Sequence, residues 1–260
     1  MSLANKLGNI YTNLNAALND ANSALVEKGG NEVVNIAGIG DEIRNLEAGG
    51  NNDFLTQLIE RTLGILGSNN LTIPDSVKVI GAYAFAECHR FINIIIPDSV
   101  TAISQYAFHN CSSLASITIP DSVTTIGDYA FRNCSSLTSV VIGDSVTSIG
   151  EEAFCSCNSL TNITIPNSVT SVDDYAFQMC SSHSSVTIGN GVTSIGDYVF
   201  AASTNLSDVY IHAPTPPTLG SYAIRSTAII HVPVGSGDAY KEATNWSTYA
   251  DNIVEDIVVE

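Results

Sequence analysis

The sequence predicts a solenoid of the α/β repeat class, built from six repeats of 23 residues each. Columns of identical residues 23 positions apart are the first observation, and a short strand-like alternation in each repeat is the second. One column is Cys88, Cys111, Cys134, Cys157 and Cys180, and another is Phe85, Phe108, Phe131, Phe154, Phe177 and Phe200. A single unit cannot bury its own apolar residues, so the units must stack into one continuous core.

The residue pattern within each repeat predicts one short strand and one compact turn. In one unit apolar residues alternate with Ser116 and Thr118, and Pro120 ends the run because its nitrogen cannot donate to a ladder. The stretch 128–133 predicts a single helical or 3₁₀ turn. Glycine recurs at one position in four repeats, where we expect positive φ: Gly81, Gly127, Gly150 and Gly196.

Composition and charge exclude several classes of partner. The chain has 260 residues, and its net charge of −17 repels phosphate backbones and anionic lipids. We therefore expect no nucleic acid partner and no membrane insertion, the latter also because no apolar run reaches the ~18 residues that a spanning helix needs. Residues 1–10 lack the basic and apolar regions of a secretory signal.

The repeat pattern resembles a known family. It is Ile-Pro-Asp-Ser-Val-x-x-Ile-Gly-x-Tyr-Ala-Phe-x-x-Cys-x-x-Leu, it runs from Pro74 to Ile211, and it is similar to the BspA-like, Treponema-type class of leucine-rich repeat. Residues 232–253 also resemble the terminal cap of these proteins. The resemblance implies a right-handed, curved superhelix with short parallel strands on its concave face. It also implies adhesion or host interaction in an extracellular, cell-surface or virion-associated location.

Four segments are predicted along the chain. Residues 1–50 form a helical segment, 51–70 an N-terminal capping helix, 71–211 the solenoid and 212–260 a C-terminal strand-helix cap. Residues 1–50 also resemble helical segments of phage tail-fibre proteins. They are either an extended cap or an attachment segment that oligomerises the chain. The second alternative predicts a structural, receptor-binding component of a tail fibre.

The outward side of the strands is the candidate binding surface. Small hydroxyl and amide side chains there can hydrogen-bond a glycan or a protein of a cell surface, although an ordinary solvated sheet would have the same composition. Tyr210 offers an aromatic platform at one end. The candidate residues are Asn93, Ser116, Thr118, Ser139, Asn162, Thr164, Ser185, Thr187, Asp208 and Tyr210. No catalytic constellation and no cofactor motif can be assembled from the sequence, so we expect no enzyme.

Other repeated polar residues have structural interpretations. We expect the cysteine column to be buried and reduced, with Cys155 out of register and facing solvent. His183 takes an inward leucine position and is interpreted as a tolerated core substitution. A column of tyrosines is interpreted as convex packing. A row of aspartates, Asp75, Asp98, Asp121 and Asp144, accepts backbone N–H groups in its own turns or, alternatively, binds calcium.

Overall fold

The computed structural model describes residues 69–73 and 75–258, which form a stack of parallel coils. Each coil holds a strand, a turn, a two-residue strand and a run of turns. We number the coils by their residues: 69–91, 92–114, 115–137, 138–160, 161–183, 184–206 and a shorter seventh of 207–228. The predicted repeat solenoid is therefore confirmed.

The first strand of each coil forms the face that we call the concave face. These strands are β1 (Asn70–Thr72), β3 (Asn93–Ile95), β5 (Ser116–Ile119), β7 (Ser139–Ile142), β9 (Asn162–Ile165), β11 (Ser185–Ile188) and β13 (Asp208–Ile211). They are parallel, and register partners such as Asn93 and Ser116 are 23 residues apart. Exposed and buried residues alternate along them, as the sequence predicted.

The second strand of each coil forms a separate parallel sheet of seven strands. Its members are β2 (Val79–Ile80), β4 (Ala102–Ile103), β6 (Thr125–Ile126), β8 (Ser148–Ile149), β10 (Ser171–Val172), β12 (Ser194–Ile195) and β14 (Thr218–Leu219). One side chain of each strand points into the core and its neighbour points out. This sheet is continuous from the first coil to the seventh.

The stretch 128–133 is a run of turns, so the prediction of a helical or 3₁₀ turn there was wrong. Tyr129 and Asn133 have positive φ of 58° and 62°, which interrupts any helix. The N–H groups of Tyr129, Phe131 and Asn133 donate to carbonyls of the next coil at 2.7–2.9 Å. These bonds alternate with local ones, from the Ala130 N–H to the Gly127 carbonyl at 3.3 Å and from the Arg132 N–H to the Tyr129 carbonyl at 3.2 Å, so the stretch forms successive turns and no continuous helix.

The prediction of positive φ at the recurrent glycine was also wrong, because positive φ falls two residues later, on tyrosine. The glycine is needed instead for close approach of successive coils. A Cβ on Gly127 would lie 2.6 Å from the backbone nitrogen of Gln105, and one on Gly150 would lie 2.7 Å from that of Asp128. Gly81, in the first coil, has no atom within 4 Å of such a Cβ.

The core consists of ladders that run along the stack. The phenylalanine rings stack from coil to coil with centroids 5.0–5.6 Å apart. Beside them the Cys134 thiol donates to the Phe108 carbonyl at 3.3 Å, and Ser203 takes the cysteine position in coil 6. All six cysteines are buried and free, which confirms the interpretation of the cysteine column. Burial raises the pKa of Cys134 and Cys157.

These thiols should be inert in the folded protein, because the reactive species is the thiolate. We expect almost no reaction with a thiol-specific reagent under native conditions and six equivalents per chain in denaturant. A Thr118→Cys variant, with its side chain on the exposed face, is the control and should add one rapidly reacting equivalent. One fast equivalent in the unmodified chain would contradict the burial of all six.

The C-terminal cap closes the stack. It contains β15 (Ile229–Pro233), α1 (Gly237–Glu242), a 3₁₀ helix (Trp246–Asn252) and β16 (Ile253–Ile257), with β16 parallel to β15. The predicted helix 238–249 is thus broken into two short helices, and the final strand was not predicted. Trp246 is fully buried and its indole N–H donates to the Pro217 carbonyl at 2.7 Å.

At the other end, β1 pairs with β3 with Leu71 opposite Ile94, the register expected from the sequence. The predicted helical segment 1–50 and nearly all of the predicted capping helix 51–70 lie outside the described residues. Both remain predictions. Within residues 69–73 and 75–258 no helix has the length and apolar character to cross a membrane.

Candidate functional site

The concave face presents its outward side chains in two rows, as the sequence predicted. Strand register aligns Ser116 with Ser139 in one row and Thr164 with Thr187 in the other. The candidate residues Asn93, Ser116, Thr118, Ser139, Asn162 and Thr164 are exposed, and Ser185, Thr187, Asp208 and Tyr210 are half-buried. That these residues bind a ligand stays a prediction.

A polar cluster lies at the C-terminal end of the rows. The Tyr210 ring stacks on the His231 ring with centroids 4.3 Å apart. His231 Nδ1 lies 2.7 Å from an Asp256 carboxylate oxygen, and its Nε2 lies 3.1 Å from one of Asp208. Sequence reasoning missed His231 because the register step from β13 to β15 is 21 residues rather than 23. The strand-like run of residues 229–232, which contains His231, was the signal in the sequence that could have placed this residue beside Tyr210.

His231 should make folding more favourable in acid. Its partial burial alone would lower the pKa, but hydrogen bonds and charge from Asp208 and Asp256 outweigh burial and raise the pKa above its usual 6.5. A raised pKa in the folded state adds stability below pH 6.5, and this contribution is lost as pH rises through the folded-state pKa. We expect His231→Gln to destabilise the chain more at pH 6 than at pH 9 in urea unfolding.

Exposed Thr118, which has no titratable group, supplies the control for this experiment. Thr118→Gln should change the free energy of unfolding by much the same small amount at both pH values. A cost of His231→Gln that grows from pH 6 to pH 9 would contradict the ionic pairing.

The concave sheet is split between coils 4 and 5. It consists of a four-stranded sheet that ends at β7 and a five-stranded sheet that begins at β9. At the other junctions an N–H just before the strand donates to the preceding coil: Thr138 to the Ala115 carbonyl and Ser184 to the Thr161 carbonyl, both at 2.9 Å. The corresponding bond from Thr161 to Thr138 is missing. Nothing in the 23-residue pattern indicates this split.

A cleft of about 550 Å³ lies over the split. Residues of β7, β9 and the turns that follow them line it, together with Thr187 of β11, Gly189 and His212 after β13. The polar residues among these are Asp144, Asn162, Thr164, Asn167, Thr187 and His212. Three predicted binding residues, Asn162, Thr164 and Thr187, therefore meet in one concavity, and the other seven candidates lie outside it.

A second cavity, of about 590 Å³, lies against the seven-stranded sheet and is acidic. Asp128, Glu151, Asp173 and Asp174 line it. Partial burial raises the pKa of Asp173, and the charges of Asp128 and Asp174 raise it further. In the described ranges, no His, Cys, Asp and Glu side chains are grouped as a metal site requires.

Asp121 of the aspartate row and Asn167 at the same repeat position accept backbone N–H groups, although not within their own turns as predicted. Asp121 accepts the N–H of Asp144 at 2.8 Å, and Asn167 accepts that of Asn190 at 2.9 Å. Each donor belongs to the next coil rather than to the residue's own turn. These side chains therefore tie neighbouring coils together.

Cys155 does not face solvent, so its predicted exposure was wrong. It is 2% exposed, with its sulfur 3.9 Å from the Gln178 amide oxygen of the next coil. Burial raises the pKa of the Cys155 thiol. The next coil packs over Cys155 and buries it. This contact cannot be seen in the sequence of a single repeat.

His183 is a core residue, as interpreted from its leucine position. It is fully buried and neither ring nitrogen has a hydrogen-bond partner. Burial lowers the pKa of His183 to about 4, so the ring is neutral at pH 7. Its nearest described ring is that of Phe177, with centroids 6.1 Å apart.

The tyrosine column is packed as interpreted. The rings of Tyr83, Tyr106 and Tyr129 stack at 4.6 Å, and those of Tyr175, Tyr198 and Tyr222 stack at 5.2–5.3 Å. Glu152 takes the tyrosine position in coil 4 and pairs with Arg132 at 3.0 Å. The ring stack is therefore interrupted in the coil that borders the split sheet.

The repeat geometry agrees with a comparison against protein families. The model of the BspA type leucine rich repeat region matches residues 66–146 and 124–242, with six copies of the repeat. The chain belongs to the BspA-type leucine-rich repeat family. The match includes every coil of the stack and ends after α1, before the 3₁₀ helix and β16 of the C-terminal cap.

Solved structures of two other leucine-rich repeat proteins, from T. pallidum and Eubacterium ventriosum, share this fold. The protein from T. pallidum is 28% identical, covering 61% of this chain and 78% of that one with a TM-score of 0.55. The protein from Eubacterium ventriosum is 26% identical, covering 65% and 45% with a TM-score of 0.57. A leucine rich cell surface protein from Faecalibacterium prausnitzii is 23% identical, covering 72% and 59% with a TM-score of 0.32. No curated protein matches the chain.

Proposed function

We propose that this BspA-type repeat protein is a non-enzymatic scaffold that binds a protein or glycan of a cell surface through its concave face. One observation carries the proposal. Two rows of outward side chains run in register along successive coils, and they are small, neutral and polar over most of their length. Such rows offer repeated hydrogen-bond donors and acceptors on a surface that many coils hold in place.

Surface chemistry supports this proposal. Only 13% of the residues are charged, and acidic residues outnumber basic ones by 26 to nine. The long-range field therefore disfavours polyanionic partners, whereas neutral ligands meet hydroxyl and amide groups on the concave face. At the C-terminal end the stacked Tyr210 and His231 rings add an aromatic surface.

The buried thiols support the non-enzymatic part of the proposal. The strongest nucleophiles in the described residues are six cysteines that are all buried. Burial raises the pKa of Cys157, so this thiol remains protonated, and a protonated thiol is a poor nucleophile. The repeat produces ladders of identical residues. Such ladders stabilise the stack along its length and do not gather different reactive side chains at one place.

A tail-fibre role depends on residues 1–50, which lie outside the described part of the chain. It therefore stays a prediction from the sequence, together with oligomerisation through that segment. No contact within the described coils favours it over adhesion.

Binding can be tested with matched pairs of arginine substitutions. Thr118→Arg with Thr187→Arg places two bulky charges on the concave face, and Thr125→Arg with Thr218→Arg places two on the seven-stranded sheet. The chain is first screened against arrays of cell-surface glycans and proteins. We expect the concave pair to weaken binding of the strongest hit at least tenfold and the control pair to leave it within threefold. Equal losses, or a loss in the control pair alone, would contradict the proposal.

A further inference from the structure

The split in the concave sheet coincides with the cleft. At the split the Thr161 N–H and the Thr138 carbonyl lack the bond that their counterparts form in the neighbouring coils. These two groups lie just before the strands, whereas the residues that line the cleft begin at Val140 on β7 and at Asn162 on β9. The ligand surface is therefore formed by the strands themselves and by the turns that follow them.

The split is local. On the seven-stranded sheet β8 pairs with β10, and the Thr170 N–H donates to the Thr147 carbonyl at 2.8 Å. In the runs of turns that follow β8 and β10, the Phe154 N–H donates to the Ala176 carbonyl at 2.8 Å. Coils 4 and 5 are thus bonded on two faces and open on the third, which holds the cleft in one shape before any ligand arrives.

The core beneath the cleft stays closed. The inward residues Val140 and Ile142 of β7 are 9% and 7% exposed, and Ile163 and Ile165 of β9 are 3% and 0% exposed. The outward Val141 is 57% exposed and gives the cleft an apolar patch. An apolar patch beside hydroxyl and amide groups suits a ring that has one apolar face and a polar edge.

The lining favours a sugar over other ligands. Thr164, Thr187 and Asn167 are neutral side chains that can donate and accept, as sugar hydroxyls do. The volume of about 550 Å³ falls within the range of small-ligand sites. Asp144 and the net charge of −17 oppose sialylated or sulfated sugars.

An extended peptide fits less well. A peptide strand would have to lie between β7 and β9, with a spacing of about 4.8 Å from its own axis to each of them. The two strands remain packed neighbours, so there is no room for a third strand in the plane of the sheet. A compact ring can lie over the split without separating them.

We propose that the cleft between coils 4 and 5 binds a neutral sugar residue, held by the lining of β7 and β9 and by Thr187 of β11. The inference rests on the proposed function and narrows it to one place and one ligand class. It predicts that binding depends on Thr164 and not on Thr118, which takes the same position on β5, where the sheet is intact.

The experiment compares Thr164→Arg with Thr118→Arg on an array of neutral glycans, sialylated and sulfated glycans and peptides. We expect the chain to select neutral glycans, Thr164→Arg to weaken the best hit at least tenfold and Thr118→Arg to change it less than threefold. Selection of charged glycans, selection of peptides or no glycan binding would overturn the sugar assignment. Weaker binding in both variants would support binding at the concave face but contradict its assignment to the cleft. Unchanged binding in both variants would contradict both proposals.

A measurement on the unmodified chain guards against misfolded variants. Titration of the best neutral glycan into ¹⁵N-labelled protein should shift the backbone amide signals of Asn162 and Thr164 and leave those of Ser116 and Thr118 in place. Shifts centred on β3 and β5 instead would overturn the assignment.

Discussion

Phe131→Ala is expected to lower the free energy of unfolding by about 4 kcal/mol, the middle of the range for truncation of buried aromatic residues. The Phe131 side chain is fully buried and its ring stacks on Phe108 at 5.0 Å and Phe154 at 5.1 Å. Truncation leaves a cavity in the middle of the ladder and removes two ring contacts at once. Urea unfolding followed by far-ultraviolet circular dichroism measures the effect.

The same substitution at the end of the ladder provides the control. Phe85 is only partly buried and stacks in the described ladder on Phe108 alone, at 5.3 Å. We expect Phe85→Ala to cost less than half as much as Phe131→Ala. Phe131→Leu, a smaller change, gives a value if the alanine variant is unfolded at 25 °C. Equal losses of unfolding free energy in Phe85→Ala and Phe131→Ala would contradict a ladder that is coupled from coil to coil.

His183→Leu is expected to raise the free energy of unfolding by about 2 kcal/mol at pH 7. Two buried ring nitrogens have no partner, and leaving a buried polar group unsatisfied costs about 1–3 kcal/mol. Leucine is the residue that other coils place at this position, as in Leu137 and Leu160, both of which are fully buried. The substitution therefore replaces an unpaired ring by a side chain that the neighbouring coils already accommodate.

The gain should increase in acid. Burial lowers the pKa of His183 from 6.5 to about 4 in the folded chain, so the unfolded chain binds more protons below pH 6.5. Stability of the unmodified chain then falls as pH drops from 6.5 towards 4, and by pH 5 the linkage amounts to about 2 kcal/mol. His183→Leu removes this loss. Exposed His89→Leu is the control and should shift stability by less than about 0.5 kcal/mol at either pH.

The columns explain why the fold could be predicted. Phe108, Phe131 and Phe154 recur at one spacing, and such a column has to stack in register if each unit is to bury its apolar face. The row that joins Ser116 to Ser139 followed from the same register. Prediction failed where the spacing changed: two residues fewer separate β13 from β15, which placed His231 beside Tyr210 without a sign in the 23-residue pattern.

Features that depend on contacts between coils could not be predicted from one unit. The glycine at position 127 is required by the backbone of the preceding coil, and Cys155 is buried by the following one. Positive φ at Tyr129 is a conformation that tyrosine rarely adopts. Residues of β7 and β9 alternate like those of their neighbours, so the sequence pattern contains no information about the missing ladder between them.

Site-resolved amide hydrogen exchange tests the stacked register and its split most directly. The N–H groups of Ala115, Thr138, Ser184 and Ser207 donate to the preceding coil at 2.9–3.0 Å and should exchange slowly. Thr161, at the same position in coil 5, should exchange much faster. Protection of Thr161 equal to that of Thr138 and Ser184 would contradict the split sheet, and fast exchange at all five would contradict the stacked register itself.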